Sequence, residues 1–342
     1  MALRWKNWVI TGVQWGITIV SFWVIAREVS WNELFILLKD LNYVIIIAIG
    51  AVTIFGFGTQ FFLWWVLLNE IEKTPFSTVV RVDLVIKFIN HIIPSKASGH
   101  SIAPLVIKHY TQTDWTDAVT ISGLNTGLYA TLYGIVSFCG LVLFFQRLPK
   151  ALITIIFFSS LMYAVVGLLV FFAGHRLEIV GRIFNNISEN KSFSSIFGNK
   201  LNKMATKFPS FTEESASTFR TLLSDPTVVI PYTLAWVGKL AVFPGIRVAL
   251  LLIGLGGSFT PLWLLPIVLV MGYSVTVLPL TPGGVGVAEA SATLLLVSLG
   301  INQEVAVAVI LVDRVFGVYF PALFGAIPMA DIDLMRLISN EK

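Results

Sequence analysis

The sequence predicts an all-α polytopic membrane protein, with about six transmembrane helices, two re-entrant (broken) helical hairpins in an inverted-repeat arrangement, and N- and C-termini both cytoplasmic. Three observations lead there. Of the 342 residues, 56% are apolar and only 12% charged, about half the charge of an ordinary soluble domain. The apolar residues fall in windows long enough to cross ~30 Å of hydrocarbon. Two further apolar regions are interrupted by proline and glycine where the bilayer would be.

Trp8 to Ala26 is the first window. Arg4 and Lys6 precede it, but Arg27 and Glu28 follow where a cleavage site would have small residues, so it reads as a retained span. Within 27–42, Trp31, Leu34, Leu37, Leu38 and Leu41 recur at helical spacing, with Glu33, Lys39 and Asp40 off that stripe. That pattern predicts an interfacial helix. Tyr43 to Asn69 is the second span; at 1.5 Å per residue it measures ~40 Å, so it must tilt, or bend near Gly56 and Gly58. Residues 79–110 form a first re-entrant hairpin, broken at Pro94-Ser-Lys-Ala-Ser-Gly99. Thr116 to Phe145 and Ala151 to Ala173 are the third and fourth spans. The connection 174–225 holds Arg176, Arg182, Lys191, Lys200, Lys203, Lys207 and Arg220 against fewer carboxylates, and this excess marks a cytoplasmic basic loop. Thr227 to Gly254 is the fifth span, with a kink expected at Pro244-Gly245. Residues 261–300 form the second re-entrant hairpin, broken between Pro279 and Gly286, and Glu304 to Met329 closes a single membrane domain.

With Arg4 and Lys6 inside, six crossings return the C-terminus to the cytoplasm and leave 174–225 on the cytoplasmic side. The Pro94 hairpin then enters from the cytoplasm and the Pro282 hairpin from the opposite face. Counting from Pro94 and from Pro282, a glycine follows within five residues (Gly99, Gly286), an acidic residue opens the next span (Asp117, Glu304), and a polar residue stands at one offset (Asn125, Asp313). Opposed hairpins of this kind are a feature of secondary transporters, whose sites lie near the midplane at broken helices.

The breaks carry the chemistry, because backbone opened at membrane depth needs protein or a polar cavity to face. Pro282 ends one helix, Gly283, Gly284 and Gly286 permit positive φ and close approach, and the next helix starts with free amides that favour an anion. The bland alternative is a tight turn without a ligand. Glu289 follows, a carboxylate that is costly in hydrocarbon unless paired or hydrated. At the other break Asn90, His91, Ser95, Lys96, Gly99 and His100 crowd around Pro94. Lys96 is a phosphate partner there, or else a lysine that snorkels to the headgroups. Asp313 and Arg314 sit inside the last span and predict bundle-facing ion pairs, whether structural or in contact with a substrate. Lys87, Lys239 and Arg247 are further cations at or near membrane depth that could line the same cavity.

Other chemistries find little support. The lone Cys139 excludes an intrachain disulfide framework and a Cys-based zinc site. His91, His100 and His109 recur every nine residues, which alternates helix faces and argues against a metal. His109-Tyr-Thr-Gln-Thr-Asp114 matches an acyltransferase His-x4-Asp pattern without the soluble domain that would carry it. No nucleophile elbow, phosphate-binding loop or zinc-protease motif occurs. A non-enzyme is expected, without resident cofactor, metal or nucleic-acid partner; a homo-oligomer is compatible with the sequence.

Asn90-His-Ile-Ile-Pro-Ser-Lys-Ala-Ser-Gly99, Pro279-Leu-Thr-Pro-Gly-Gly-Val-Gly-Val-Ala-Glu289, and Asp313-Arg314 with the later Gly325 resemble segments of a known family. It is the transmembrane region of lysylphosphatidylglycerol synthases and its stand-alone, flippase-like relatives in bacteria and archaea. The resemblance implies a multi-pass protein of a prokaryotic cytoplasmic membrane that moves a lipid or lipid-linked precursor between leaflets, its partners being that substrate and the bilayer. Family members often carry an acidic residue and an arginine after the first hairpin's glycine, where this chain has His100 and Ala103, and a Glu-Arg pair where it has Leu124-Asn125. After Met329 only Ala330 to Lys342 follows, too short for the aminoacyl-transfer domain of the full synthases. The expected activity is therefore flippase-like transport of an anionic or aminoacylated phospholipid or a polyprenyl-phosphate-linked sugar. Lys96 and the helix start after Pro282 would hold the phosphate. The alternatives are a secondary transporter of a small anionic solute and a membrane-embedded lipid-modifying transferase.

Overall fold

The computed structural model describes residues 39, 41–92, 96–188, 214–278 and 280–330, with backbone alone at 91–92, 96–101, 173–188 and 282. Among these residues it is helical throughout, without a strand, and five helices are long and apolar enough to cross a membrane. The expected span Trp8 to Ala26, nearly all of the interfacial segment 27–42, and Pro94 and Ser95 lie outside the described residues.

Helix α1 (Tyr43–Ile71) opens on Asn42, whose side chain accepts the Val44 amide at 2.8 Å, closing one of the orphan donors of a helix start. It runs through Gly56 and Gly58 without a break. Helices α2 (Phe76–Ile92) and α3 (Lys96–Thr111) pack on each other as the two arms of the first hairpin. Next come α4 (Trp115–Phe144) and α5 (Lys150–Ser188), the most extensively paired helices. Their contact is made by small residues: a Cβ on Gly134 would meet the Ala164 amide at 3.1 Å, and Ser137 and Ser160 share a hydrogen bond of 2.8 Å. Lipid tails are as apolar as leucine, so close backbone approach and polar contacts drive such pairing.

The connection 174–225, read from its charge as a loop, is helical at its described ends. Residues 174–188 continue α5, and 214–224 form a further helix. The second has Ala216, Phe219 and Leu222 buried on one face, an apolar spacing that outweighs the local charge. Asp225 then caps α6 (Pro226–Val237), accepting from the Thr227 hydroxyl and amide. These bonds hold its carboxyl below the usual aspartate range.

Between α6 and α7 (Phe243–Gly254) lies a π turn, Gly238–Val242, closed by the Phe243 amide on the Gly238 carbonyl. The irregularity expected at Pro244-Gly245 therefore falls in the turn before it. A helical proline clashes with the carbonyl four residues back, and widening that turn relieves the clash. The last span repeats the device: α10 (Gln303–Arg314) passes through a π turn, Val315–Tyr319, into Phe320-Pro321 and the short α11 (Phe320–Phe324) and α12 (Ala326–Met329).

The second broken region comprises α8 (Leu265–Tyr273), a 3-10 turn at Ser274–Val277, a turn at Pro282–Gly284, and α9 (Val287–Ser298). Gly283, Gly284 and Gly286 have φ of 60°, 74° and 81°, a region closed to most other residues. α8 and α9 meet where Ser291 donates to the Gly272 carbonyl at 2.7 Å. The Pro282–Gly284 turn packs against both arms of the first hairpin, so the two broken regions touch.

Two apolar cores result. One joins α7 to α10; the other joins α2, α3, α4, α6 and the second half of α1. Outside them, side chains such as Ile54 (71% exposed), Phe172 (68%) and Ile327 (70%) face outward. In water such a surface would drive aggregation; against lipid it costs nothing.

Candidate functional site: a charged cavity between two cores

A cavity of about 220 Å³ lies along the seam between the cores. Helix α1 supplies Thr53, Phe57 and Gln60, α2 supplies Lys87, and α4 supplies Tyr129 and Tyr133, one turn apart. Both π turns reach it, the first with Lys239 and Leu240, the second with Gly317 and Val318. Arg247, Tyr273, Asp313 and Arg314 complete the charged wall. Local departures from the 3.6-residue repeat re-aim side chains, which is why π turns recur at functional sites.

The charges are organised in pairs that cross between helices. Asp313 accepts from Arg247 on α7, with Nε at 2.7 Å and Nη2 at 2.6 Å, and from the Tyr273 hydroxyl at 2.7 Å. Glu289 accepts from Arg314 Nε at 2.7 Å, from the Tyr319 hydroxyl and from the Gly286 amide at 2.6 Å. Asp313 and Arg314 thus pair with other helices and not with each other, because consecutive helical residues point about 100° apart. Gly317 makes room for this arrangement: a Cβ there would stand 2.5 Å from Arg247 Nη2. Asp83 pairs with Lys87 at 2.8 Å and accepts a hydrogen bond from Gln60 Nε2.

Lys239 differs from its neighbours. Among the described residues it forms no ion pair, and its ammonium lies 5.4 Å from the Tyr129 ring centroid. Among the described residues four basic side chains therefore stand beside three carboxylates. Arg314 adds a donor, since its Nη2 is buried without a partner among the described residues. Arg314 also lies over the rings of Tyr273 and Tyr319, at 5.4 and 5.7 Å from their centroids, a cation–π setting that holds the guanidinium in place.

Of the residues singled out by sequence, Lys239, Asp313 and Arg314 line the cavity, and Glu289 stands behind Arg314. Lys87 and Arg247 line it too. Gly283, Gly284 and Gly286 form the turn that leads into α9, and the first-turn amide of Gly286 is taken by the protein's own Glu289. Asn125 is buried between α4 and α6, where its Oδ1 accepts from the Tyr232 hydroxyl at 2.9 Å. Asn90 lies in the last turn of α2. The side chains of His91, Lys96, Gly99, His100 and Pro282, and all of Pro94 and Ser95, lie outside the described residues.

Sequence reasoning missed Gln60, Asp83 and the four tyrosines 129, 133, 273 and 319. Asp83 had a visible signal, an acidic residue one helical turn before Lys87 in an apolar stretch. The tyrosines had none, since tyrosine is ordinary in a membrane protein.

The architecture defines an all-helical, multi-pass membrane protein with a polar, ion-paired cavity where broken helices meet. Its family follows from comparison: the chain belongs to the lysylphosphatidylglycerol synthase TM region family, whose model matches residues 10–325. No curated protein and no solved structure matches the chain.

Proposed function

We propose that this protein is a flippase-like transporter rather than an enzyme. It moves an anionic or aminoacylated phospholipid, or a polyprenyl-phosphate-linked sugar, between the leaflets of a prokaryotic cytoplasmic membrane. The observation that carries the reading is Lys239, a basic side chain at membrane depth that forms no ion pair among the described residues. Such a charge costs ~2.5–3.5 kcal/mol or more in a span, and an anionic headgroup offsets that cost. The cavity, at about 220 Å³, is smaller than the ~300–1,000 Å³ typical of pockets for drug-sized ligands. It takes a headgroup and leaves acyl chains in the bilayer. The family adds support, since it is a membrane family named for a lipid synthase.

In this reading the phosphate sits near Lys239 and Arg314, not at the helix start after Pro282, where Glu289 already supplies the anion. The two broken regions are an inverted pair, and both termini are cytoplasmic. The cavity's small size also suits a small anionic solute taken up whole. Proteoliposomes separate the two readings. A fluorescent acyl-labelled phosphatidylglycerol and a polyprenyl-phosphate sugar are tested for exchange between leaflets, beside uptake of small organic anions. Accelerated exchange of either lipid class supports the proposal; uptake of a solute with no lipid exchange defeats it.

A further inference from the structure

We infer that Gln60 is a specificity-determining residue: its side-chain carbonyl reads a hydrogen-bond donor, an N–H or O–H, on the anionic phosphodiester headgroup held in the cavity. The inference rests on the reading of that cavity as a headgroup site.

The argument begins with Asp83, which is 2% exposed and ion-paired with Lys87 through Oδ2 at 2.8 Å. A carboxylate paired in this way is ionised, and an ionised carboxylate only accepts hydrogen bonds. Its other oxygen, Oδ1, faces Gln60. The amide must therefore offer its NH₂ group, because presenting the carbonyl would set oxygen against oxygen. A glutamine amide has a donor end and an acceptor end of nearly the same shape; here the ion pair decides between them. Gln60 Oε1 is consequently turned away from Asp83. Among the described residues it has no partner, and it is buried on a residue that is 3% exposed and lines the cavity. A buried acceptor is expensive to leave unmade, so this oxygen calls for a donor.

The residues that line the cavity thus include unpartnered donors and an unpartnered acceptor. Lys239 and Arg314 Nη2 are donors without a matching acceptor, which suits a phosphate. Gln60 Oε1 is an acceptor without a donor. A methylated diester, which has no O–H or N–H of its own, satisfies only the first. A phosphodiester whose headgroup bears a hydroxyl or amine satisfies both. A site built to hydrogen-bond such a group discriminates strongly against an analogue that lacks it, because its own polar atom is then stranded. The same chemistry occurs in a lipid and in a soluble phosphodiester, and the test distinguishes them.

Detergent-solubilised protein is titrated calorimetrically with dihexanoyl phosphatidylglycerol, dihexanoyl phosphatidylmethanol and glycerophosphoglycerol. The first two share their chains and charge; the second lacks the headgroup hydroxyls together with the two carbons that bear them. The wild type is expected to bind phosphatidylglycerol about tenfold more tightly than phosphatidylmethanol. In Gln60→Met the gap closes to within about twofold, through loss of phosphatidylglycerol affinity alone. The comparison is a ratio, so a partly inactive preparation lowers neither term selectively. If Gln60→Met does not fold, Gln60→Asn, which withdraws the amide by one methylene, carries the same comparison. Equal affinity of the wild type for both lipids, a gap that persists in the variant, or no binding of either lipid overturns the inference. Glycerophosphoglycerol binding as tightly as the acylated form keeps the Gln60 assignment and makes the ligand a soluble diester. Discrimination in solution without lipid exchange in proteoliposomes defeats the transport reading and leaves Gln60 standing; exchange without discrimination does the reverse.

Discussion

Asp313 and Arg314 are adjacent in the chain, yet each completes a different pair, with Arg247 and with Glu289. Removing one member of a buried pair strands the other charge, at a cost of about 3–5 kcal/mol, whereas replacing both by apolar residues of similar volume is often neutral or better. Asp313→Ala is therefore expected to lower thermal stability in detergent steeply, while Arg247→Met combined with Asp313→Leu recovers most of the loss. Unfolding followed by tryptophan fluorescence reads both. A double variant that is no more stable than Asp313→Ala would show that Arg247 is not the stranded charge. This pairing was not legible in the sequence, which marked Asp313 and Arg314 as buried ions but could not name partners 66 and 25 residues away. Lys239 and Arg247 stood out for a simpler reason: cations are rare in apolar windows.

At the scale of elements, proline and glycine set where helices break and how closely they approach. Gly325, between α11 and α12, lies directly on α2, and a Cβ there would stand 2.1 Å from the Leu84 carbonyl oxygen. Backbone cannot swing aside as a side-chain tip can, so Gly325→Ala forces the last span away from the first hairpin. The expected loss is about 1–3 kcal/mol or more, as for overpacking generally. Gly58→Ala is the matched control: it lies in α1 with nothing within 4 Å of the added carbon. It should be neutral or slightly stabilising, by up to about 1 kcal/mol from helix propensity. Equal melting temperatures for the two variants would contradict the close packing of α12 on α2. The five described long spans and the break around Pro282 could be read directly, because span length and Pro-Gly clusters are local signals. The π turns could not. Gly238–Val242 and Val315–Tyr319 each precede a Phe-Pro pair, and whether a proline kinks a helix or widens the turn before it depends on the neighbours it packs against. The helical ends of 174–225 were hidden by its charge, although Ala216, Phe219 and Leu222 already carried the helical period.

For the whole molecule, a seam between two apolar cores holds a cluster of ions, and Lys239 is the one without an ion pair among the described residues. The proposed orientation puts the α4–α5 turn outside and the segment before α6 in the cytoplasm. With Cys139 replaced by serine, a cysteine at Gln146 should react with an impermeant maleimide on intact cells, and one at Ser224 only after permeabilisation; the opposite pattern would invert the protein. The central claim concerns Lys239, and it joins stability to function. If the cavity keeps this cation for an anionic headgroup, removing it relieves a desolvation cost and empties the site. The most direct measurement is leaflet exchange of acyl-labelled phosphatidylglycerol in proteoliposomes containing wild type or Lys239→Met, with the melting temperature of each taken from the same preparation. The account predicts that Lys239→Met melts no lower than wild type and exchanges lipid at least about tenfold more slowly, the loss of one charge-assisted contact. Undiminished exchange in a normally folded Lys239→Met protein would contradict it.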